Sequence, residues 1–187
     1  ANMNVTSASY LMSDNTTIVN LTNNLSLSSG LYTVQDGASG SATFNLGLTN
    51  VTLSHSGNMA VGIWNVGYSN LNKVGVNFNN MTVVGTQTIT PRTLNITATT
   101  TNKEYDGNTY ASVVLTKNLL SSDVVNTTAD TSGLFADKNA GNGKTVTVSN
   151  ISISGGADAG NYILGSKVAT TTANITPKAL SLAGLTA

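Results

Sequence analysis

The feature that most limits the fold of this chain is a period of two. Apolar residues alternate with Thr, Asn or Ser in short runs, as in Met59-x-Val61-x-Ile63, Val74-x-Val76-x-Phe78 and Leu94-x-Ile96-x-Ala98. At this period every apolar side chain falls on one face of a strand. A helix needs apolar residues at i, i+3 and i+4, and no such stripe is sustained anywhere in the sequence. The residues between the apolar ones agree: 29 Thr, 25 Asn, 20 Ser and 18 Gly make 92 of 187, about half the chain. All four are poor helix formers. The sequence predicts an all-β protein.

Composition then removes several functions. Charged residues are only 9%, and eight basic residues balance eight acidic ones, so no field gathers nucleic acid or an anionic membrane. No apolar run reaches about 18 residues, so direct membrane insertion is not expected. No signal-peptide pattern opens the sequence. Cysteine is absent, which excludes disulfides and thiolate metal sites. The 40% apolar content, regularly spaced, argues against disorder.

The chain divides near residue 88. Residues 1–88 carry only Asp14, Asp36 and Lys73, and the other thirteen charges lie beyond them. Ile89-Thr90-Pro91-Arg92-Thr93-Leu94 corresponds to Ile175-Thr176-Pro177-Lys178-Ala179-Leu180, 86 residues later. This spacing predicts one module over 89–174, followed at 175–187 by the truncated start of another, as in a tandem array. The first part has a shorter period. Asn4-Val5, Asn24-Leu25, Asn45-Leu46 and Asn65-Val66 start at intervals of 20, 21 and 20 residues, and Phe44 and Trp64 precede the last two. A repeat of this length predicts β-solenoid coils over 1–88, the end of a parallel β-helix, with stacked Asn side chains. A β-sandwich is the alternative.

In the second part Thr93–Thr101, Thr145–Ser154 and Ala169–Ile175 read as strands. A parity shift at Ser149-Asn150 predicts a bulge or bend, and Asp106-Gly107 and Asn142-Gly143 predict turns. The expected architecture of 89–174 is a small antiparallel β-sandwich-like module.

Three stretches of this module carry a resemblance. Lys103-Glu104-Tyr105-Asp106-Gly107-Asn108-Thr109, then Phe135 to Val148 around Asp137-Lys138-Asn139-Ala140-Gly141, then Asp158-Ala159-Gly160-Asn161-Tyr162 before Ala173-Asn174-Ile175-Thr176-Pro177, stand in that order. Together they resemble the YDG-type repeat module, over about 89–180, with Asn108 where Thr is usual. The resemblance implies a context: large filamentous-haemagglutinin-like adhesins of Gram-negative bacteria, exported by two-partner secretion. It implies a secreted chain at the bacterial cell surface, whose partners are a host-cell or biofilm-matrix receptor, including glycans, and the outer-membrane transporter of the parent protein. Physically, Tyr105 and Tyr162 suit the closing of core edges, Asp106-Gly107 suits a turn, and Asp137 and Lys138 are expected to pair.

No catalytic group is expected. His55 stands alone in Ser54-His55-Ser56-Gly57, and a Ser-His-Asp arrangement would require Asp14 or Asp36. One Glu and dispersed Asp residues do not make a glycosidase pair, and Gly155-Gly156-Ala157-Asp158 matches a calcium-binding glycine repeat only superficially. No metal or cofactor is expected. Ten Asn-x-Ser/Thr sequons exceed only slightly the number that composition predicts. For ligand binding, Trp64 and Tyr68 are the candidate residues, since two aromatics on one face amid Asn could stack on a sugar. The leading expectation is a structural, adhesive, non-catalytic segment of a secreted adhesin; the alternative is a carbohydrate-binding module.

Overall fold

The computed structural model describes residues 7–12, 18–20, 26–28, 31–35, 40–75 and 78–181. What it describes is all-β, with curled and mostly antiparallel sheets. The chain forms two compact units, Ala1–Leu53 with Met59–Thr90, and Ser54–Asn58 with Pro91–Ala187.

In the first unit the strands are β1 (Ser7–Met12), β2 (Ile18–Asn20), β3 (Ser26–Ser28), β4 (Leu31–Gln35), β5 (Ser41–Thr49), β6 (Gly62–Val74), β7 (Phe78–Val84) and β8 (Thr86–Ile89). One sheet has the order β2-β1-β7 and the other β3-β4-β5-β6-β8. Every pairing in both is antiparallel. The expected parallel coils are therefore corrected to antiparallel pairing for these strands. In stacked coils Asn45 and Asn65 would lie side by side. Instead Asn45 faces Ser69 and Asn65 faces Thr49, because β5 and β6 run in opposite directions. A 20-residue interval fits strand, loop and returning strand as well as it fits one coil, and spacing alone does not separate the two. The repeat copies at Asn4 and Asn24 begin outside the described residues.

β5 shows how the alternation works. Ala42 and Phe44 are buried while Ser41 and Thr43 beside them are half-exposed. Full burial of a ring such as Phe44 contributes about 1.5–3 kcal/mol, and Phe44 also stacks on Tyr32 with centroids 5.8 Å apart. Opposite Phe44 the register jumps, since Thr43 faces Asn72 and Asn45 faces Ser69, leaving Asn70 and Leu71 against one residue. That bulge needs a left-handed backbone, and Asn70 supplies it at φ 54°. Its amide donates to Asn45 Oδ1 (3.0 Å), pinning the bulge across the strands.

The second unit contains β9 (Arg92–Leu94), β10 (Ile96–Thr100), β11 (Lys103–Glu104), β12 (Tyr110–Ala111), β13 (Val113–Lys117), β14 (Asn126–Thr128), β15 (Gly133–Phe135), β16 (Gly141–Val148), β17 (Ser152–Gly155), β18 (Tyr162–Leu164) and β19 (Ala169–Thr176), with a 3-10 turn at Ala159–Asn161. A five-stranded sheet runs β11-β19-β16-β15-β12, and β10–β13, β14–β17 and β9–β18 form separate pairs. Only β11–β19 and β9–β18 are parallel here. Three contiguous clusters make the core. Ala111, Phe135, Val146, Ala173 and Ile175 form the first, with Tyr105 packed against it. Ala98, Val148, Ile151 and Ala169 form the second, and Val113 touches both. Leu94, Val125 and Tyr162 form the third. The parity shift at Ser149-Asn150 marks a change of partner. β16 ends at Val148, Asn150 adopts φ 56°, and β17 leaves to pair with β14.

Candidate functional site

Trp64 and Tyr68 both lie on β6 and share its parity with the buried Val66 between them. Trp64 is half-buried and its indole Nε1 donates to Ala60 O (2.9 Å). It faces Gln87, six residues along the strand from the bulge opposite Phe44, or about 20 Å at the usual rise. The two aromatics that looked equivalent in the repeat thus occupy different environments. Tyr68 is 41% exposed and lines a shallow cavity of about 160 Å³ with Gly47, Leu48, Thr49, Gly67 and Ser69. Trp64 is not part of that lining.

The most developed polar site lies elsewhere in the second unit and was not legible in the sequence. Residues Ser54-His55-Ser56-Gly57 form a β-turn closed by Gly57 N to Ser54 O (2.9 Å). Neither His55 nor Ser56 has positive φ, whereas Gly57 has φ 76°, as a type I turn with Gly at its last position prefers. In such a turn the N–H groups of the two central residues are not used by the turn itself. Here both meet carboxylates. Ser56 N donates to Asp123 Oδ1 (2.8 Å) and His55 N to Asp158 Oδ1 (3.1 Å). The His55 ring Nδ1 stands 3.0 Å from Asp158 Oδ2, which also accepts from Val124 N (2.8 Å). Tyr162 completes the clasp: its hydroxyl donates to Asp123 Oδ2 (2.7 Å) and accepts from Leu120 N (3.0 Å).

Asp123 and Asp158 are buried, and buried carboxylates are tolerated when hydrogen-bonded this fully. Burial pushes the Asp123 carboxyl up, but donors from Ser56, Tyr162 and Ser54 outweigh it and bring it down to about 2. The Val124 N–H, against burial and together with His55, holds Asp158 below its ordinary value. Burial raises Tyr162, and the neighbouring Asp123 adds to that. The Asp158–His55 pair has the form of half a catalytic triad. The hydroxyls of Ser54 and Ser56 bond each other (3.0 Å), and Asp158 also accepts from the backbone N–H groups of His55 and Val124. This is the chemistry of a clasp.

The motif residues behave the same way. Lys103 Nζ donates to Asp106 Oδ1 (2.7 Å), Asn108 O and Oδ1 (2.9 Å each) and Tyr110 O (3.0 Å), and lies 5.6 Å from the centre of the Phe135 ring. The ammonium thus acts as an internal cation around which residues 106–110 wrap, with Gly107 at φ 82° making the bend. Asn108 is more than a neutral replacement for Thr, because its side-chain oxygen also accepts from Tyr110 N (2.9 Å). Lys103 and the Asn108 N–H lower the Asp106 carboxyl. The expected Asp137–Lys138 pair is corrected. Asp137 pairs with Lys144, which the hairpin of β16 returns beside it, and accepts from Asn139 N (2.8 Å). Two sequon side chains are also occupied, Asn150 Nδ2 with Asp130 Oδ1 (2.9 Å) and Asn174 Oδ1 with Gly143 N (2.7 Å). Among the described residues no three His, Asp or Glu converge on a point.

These features define an all-β module in which Lys103, Asp106, Asp123, Asp137, Lys144 and Asp158 hold turns and loops in place. Residues 90–173 are a YDG domain, matching the family model of that description. No curated protein and no solved structure matches the chain.

Proposed function

We propose that the chain is a structural and adhesive segment of a secreted bacterial surface adhesin, acting by its surface and without bond chemistry. The observation that carries this is the internal use of the YDG charges. Lys103, Asp106, Asp137 and Lys144 bond within the module, and Asp123 and Asp158 bond its Tyr162 and Val124 together with the Ser54–Gly57 turn, which supports a role in maintaining shape. A module kept stiff in this way suits a spacer or tip on a cell surface. The low charge, the absent cysteines and the Ile-Thr-Pro spacing support a tandem, exported context. Filamentous-haemagglutinin-like parentage, two-partner secretion through an outer-membrane transporter, and attachment to host cells or biofilm matrix belong to the same proposal. Beads coated with the folded chain should be retained on host-cell layers or biofilm matrix well above beads carrying an unrelated β protein. Equal retention would remove the adhesive reading. Carbohydrate binding is the second reading, favoured by exposed aromatic rings beside shallow cavities.

A further inference from the structure

We infer that the edge of the five-stranded sheet carries a binding site for a neutral hexose, with Tyr110 as its stacking platform and Asp130 as its principal hydrogen-bond acceptor. The inference rests on the adhesive reading for its biological sense and names the ligand class and contact residues within it. Tyr110 lies on the edge strand β12 and is 63% exposed. Its cross-strand neighbour is Leu134, 46% exposed. The edge ring of Tyr110 and Leu134 on the neighbouring strand β15 together form a small exposed apolar patch. With Asp130, Thr131 and Ser132 they line an open cavity of about 230 Å³.

The parts are fixed in place. Tyr110 N donates to Asn108 Oδ1 (2.9 Å) and Tyr110 O accepts from Lys103 Nζ (3.0 Å). The YDG motif therefore sets the backbone from which the ring projects. On the other side Asp130 N donates to Ser149 O (3.1 Å), and Asp130 Oδ1 accepts from Asn150 Nδ2 (2.9 Å). An aromatic face, an aliphatic neighbour, an oriented carboxylate and two hydroxyl residues are the groups a pyranose requires. Its C–H face packs on the ring and its hydroxyls donate to the carboxylate. No Lys, Arg or His lines the cavity, so an acidic sugar would meet only the like charge of Asp130. The cavity is smaller than the roughly 300–1,000 Å³ of drug-sized sites, which fits one terminal sugar ring. The Tyr68 cavity contains no carboxylate or amide side chain and is the weaker site.

The test is ligand-observed NMR on the full chain with methyl β-D-galactopyranoside, methyl α-D-glucopyranoside and N-acetylneuraminic acid. We expect one of the neutral hexosides to bind. Tyr110→Ala and Asp130→Asn should each weaken that binding about tenfold or more, with the thermal midpoint of each variant confirming its fold. The charged sugar should not bind. Absence of binding by both neutral hexosides would overturn the inference, as would binding that survives both variants or is lost only in Tyr68→Ala. Bead retention separates the two readings. Retention unchanged in Tyr110→Ala leaves adhesion standing and removes this site as its cause, whereas hexoside binding without retention keeps the site and removes the adhesive role.

Discussion

Asp123 shows what a single residue does in this module. Nothing in Ser121-Ser122-Asp123 marks it in the sequence, yet its two oxygens receive Ser56, from a turn 67 residues away, and the Tyr162 hydroxyl. Removing that hydroxyl in Tyr162→Phe leaves the half-buried Leu120 N–H and one carboxylate oxygen short of a partner. The expected loss is about 1–2 kcal/mol by denaturant titration, at unchanged m-value. Acid should act on the same bonds. The folded-state carboxyls of Asp123 and Asp158 lie below their ordinary value. Their contribution is therefore full above about pH 4 and is lost as pH falls through the folded values, down to about 2 for Asp123. The denaturation midpoint should fall between pH 4 and about 2; a flat midpoint there would show that these carboxylates do not support the fold. Residue-level chemistry was legible where it was local. Asp106-Gly107 identified its turn, whereas the partners of His55 and Asp137 depend on which strands return beside them.

At the scale of elements, β15 depends on a residue with no side chain. A Cβ on Gly133 would lie 2.4 Å from Val113 Cγ2 and 2.7 Å from Val146 Cγ1, closer than real contacts allow. Gly133→Ala should cost about 1–3 kcal/mol through overpacking, a fall of several degrees in thermal midpoint. Gly47, on β5, has no atom within 4 Å of such a Cβ, so Gly47→Ala should leave the midpoint unchanged or slightly higher. A larger effect at Gly47 than at Gly133 would contradict the packing described. Alternation made β9, β10, β16, β17 and β19 visible in advance, with Leu94, Ala98, Val146 and Val148 buried. The Met59–Ile63 run misled, since Met59 and Ile63 are exposed and β6 begins at Gly62. Pairing direction was not visible, because period two is the same in a parallel coil and an antiparallel ladder. The solenoid expectation failed at that point, with Asn45 opposite Ser69 where Asn65 was expected beside it.

Across the whole molecule, the YDG domain at 90–173 is a β module in which Lys103, Asp106, Asp123, Asp137, Lys144 and Asp158 hold its loops and the Ser54–Gly57 turn in place. The motif's order was readable as a family pattern. Its purpose was not, since Lys103 among four oxygens and Asp158 around a Ser-His-Ser turn exist only once the chain is folded. The central claim is that these charges serve shape. Amide hydrogen exchange at Ser56, Leu120 and Val124 tests it most directly, since each donates to the Asp123–Asp158–Tyr162 clasp. We predict that all three exchange far more slowly than in an unstructured peptide, by about a hundredfold or more, and that Asp123→Asn speeds Ser56 and Leu120 together. Exchange at peptide rates in the unmodified chain, or rates indifferent to Asp123, would show that the clasp does not hold the module.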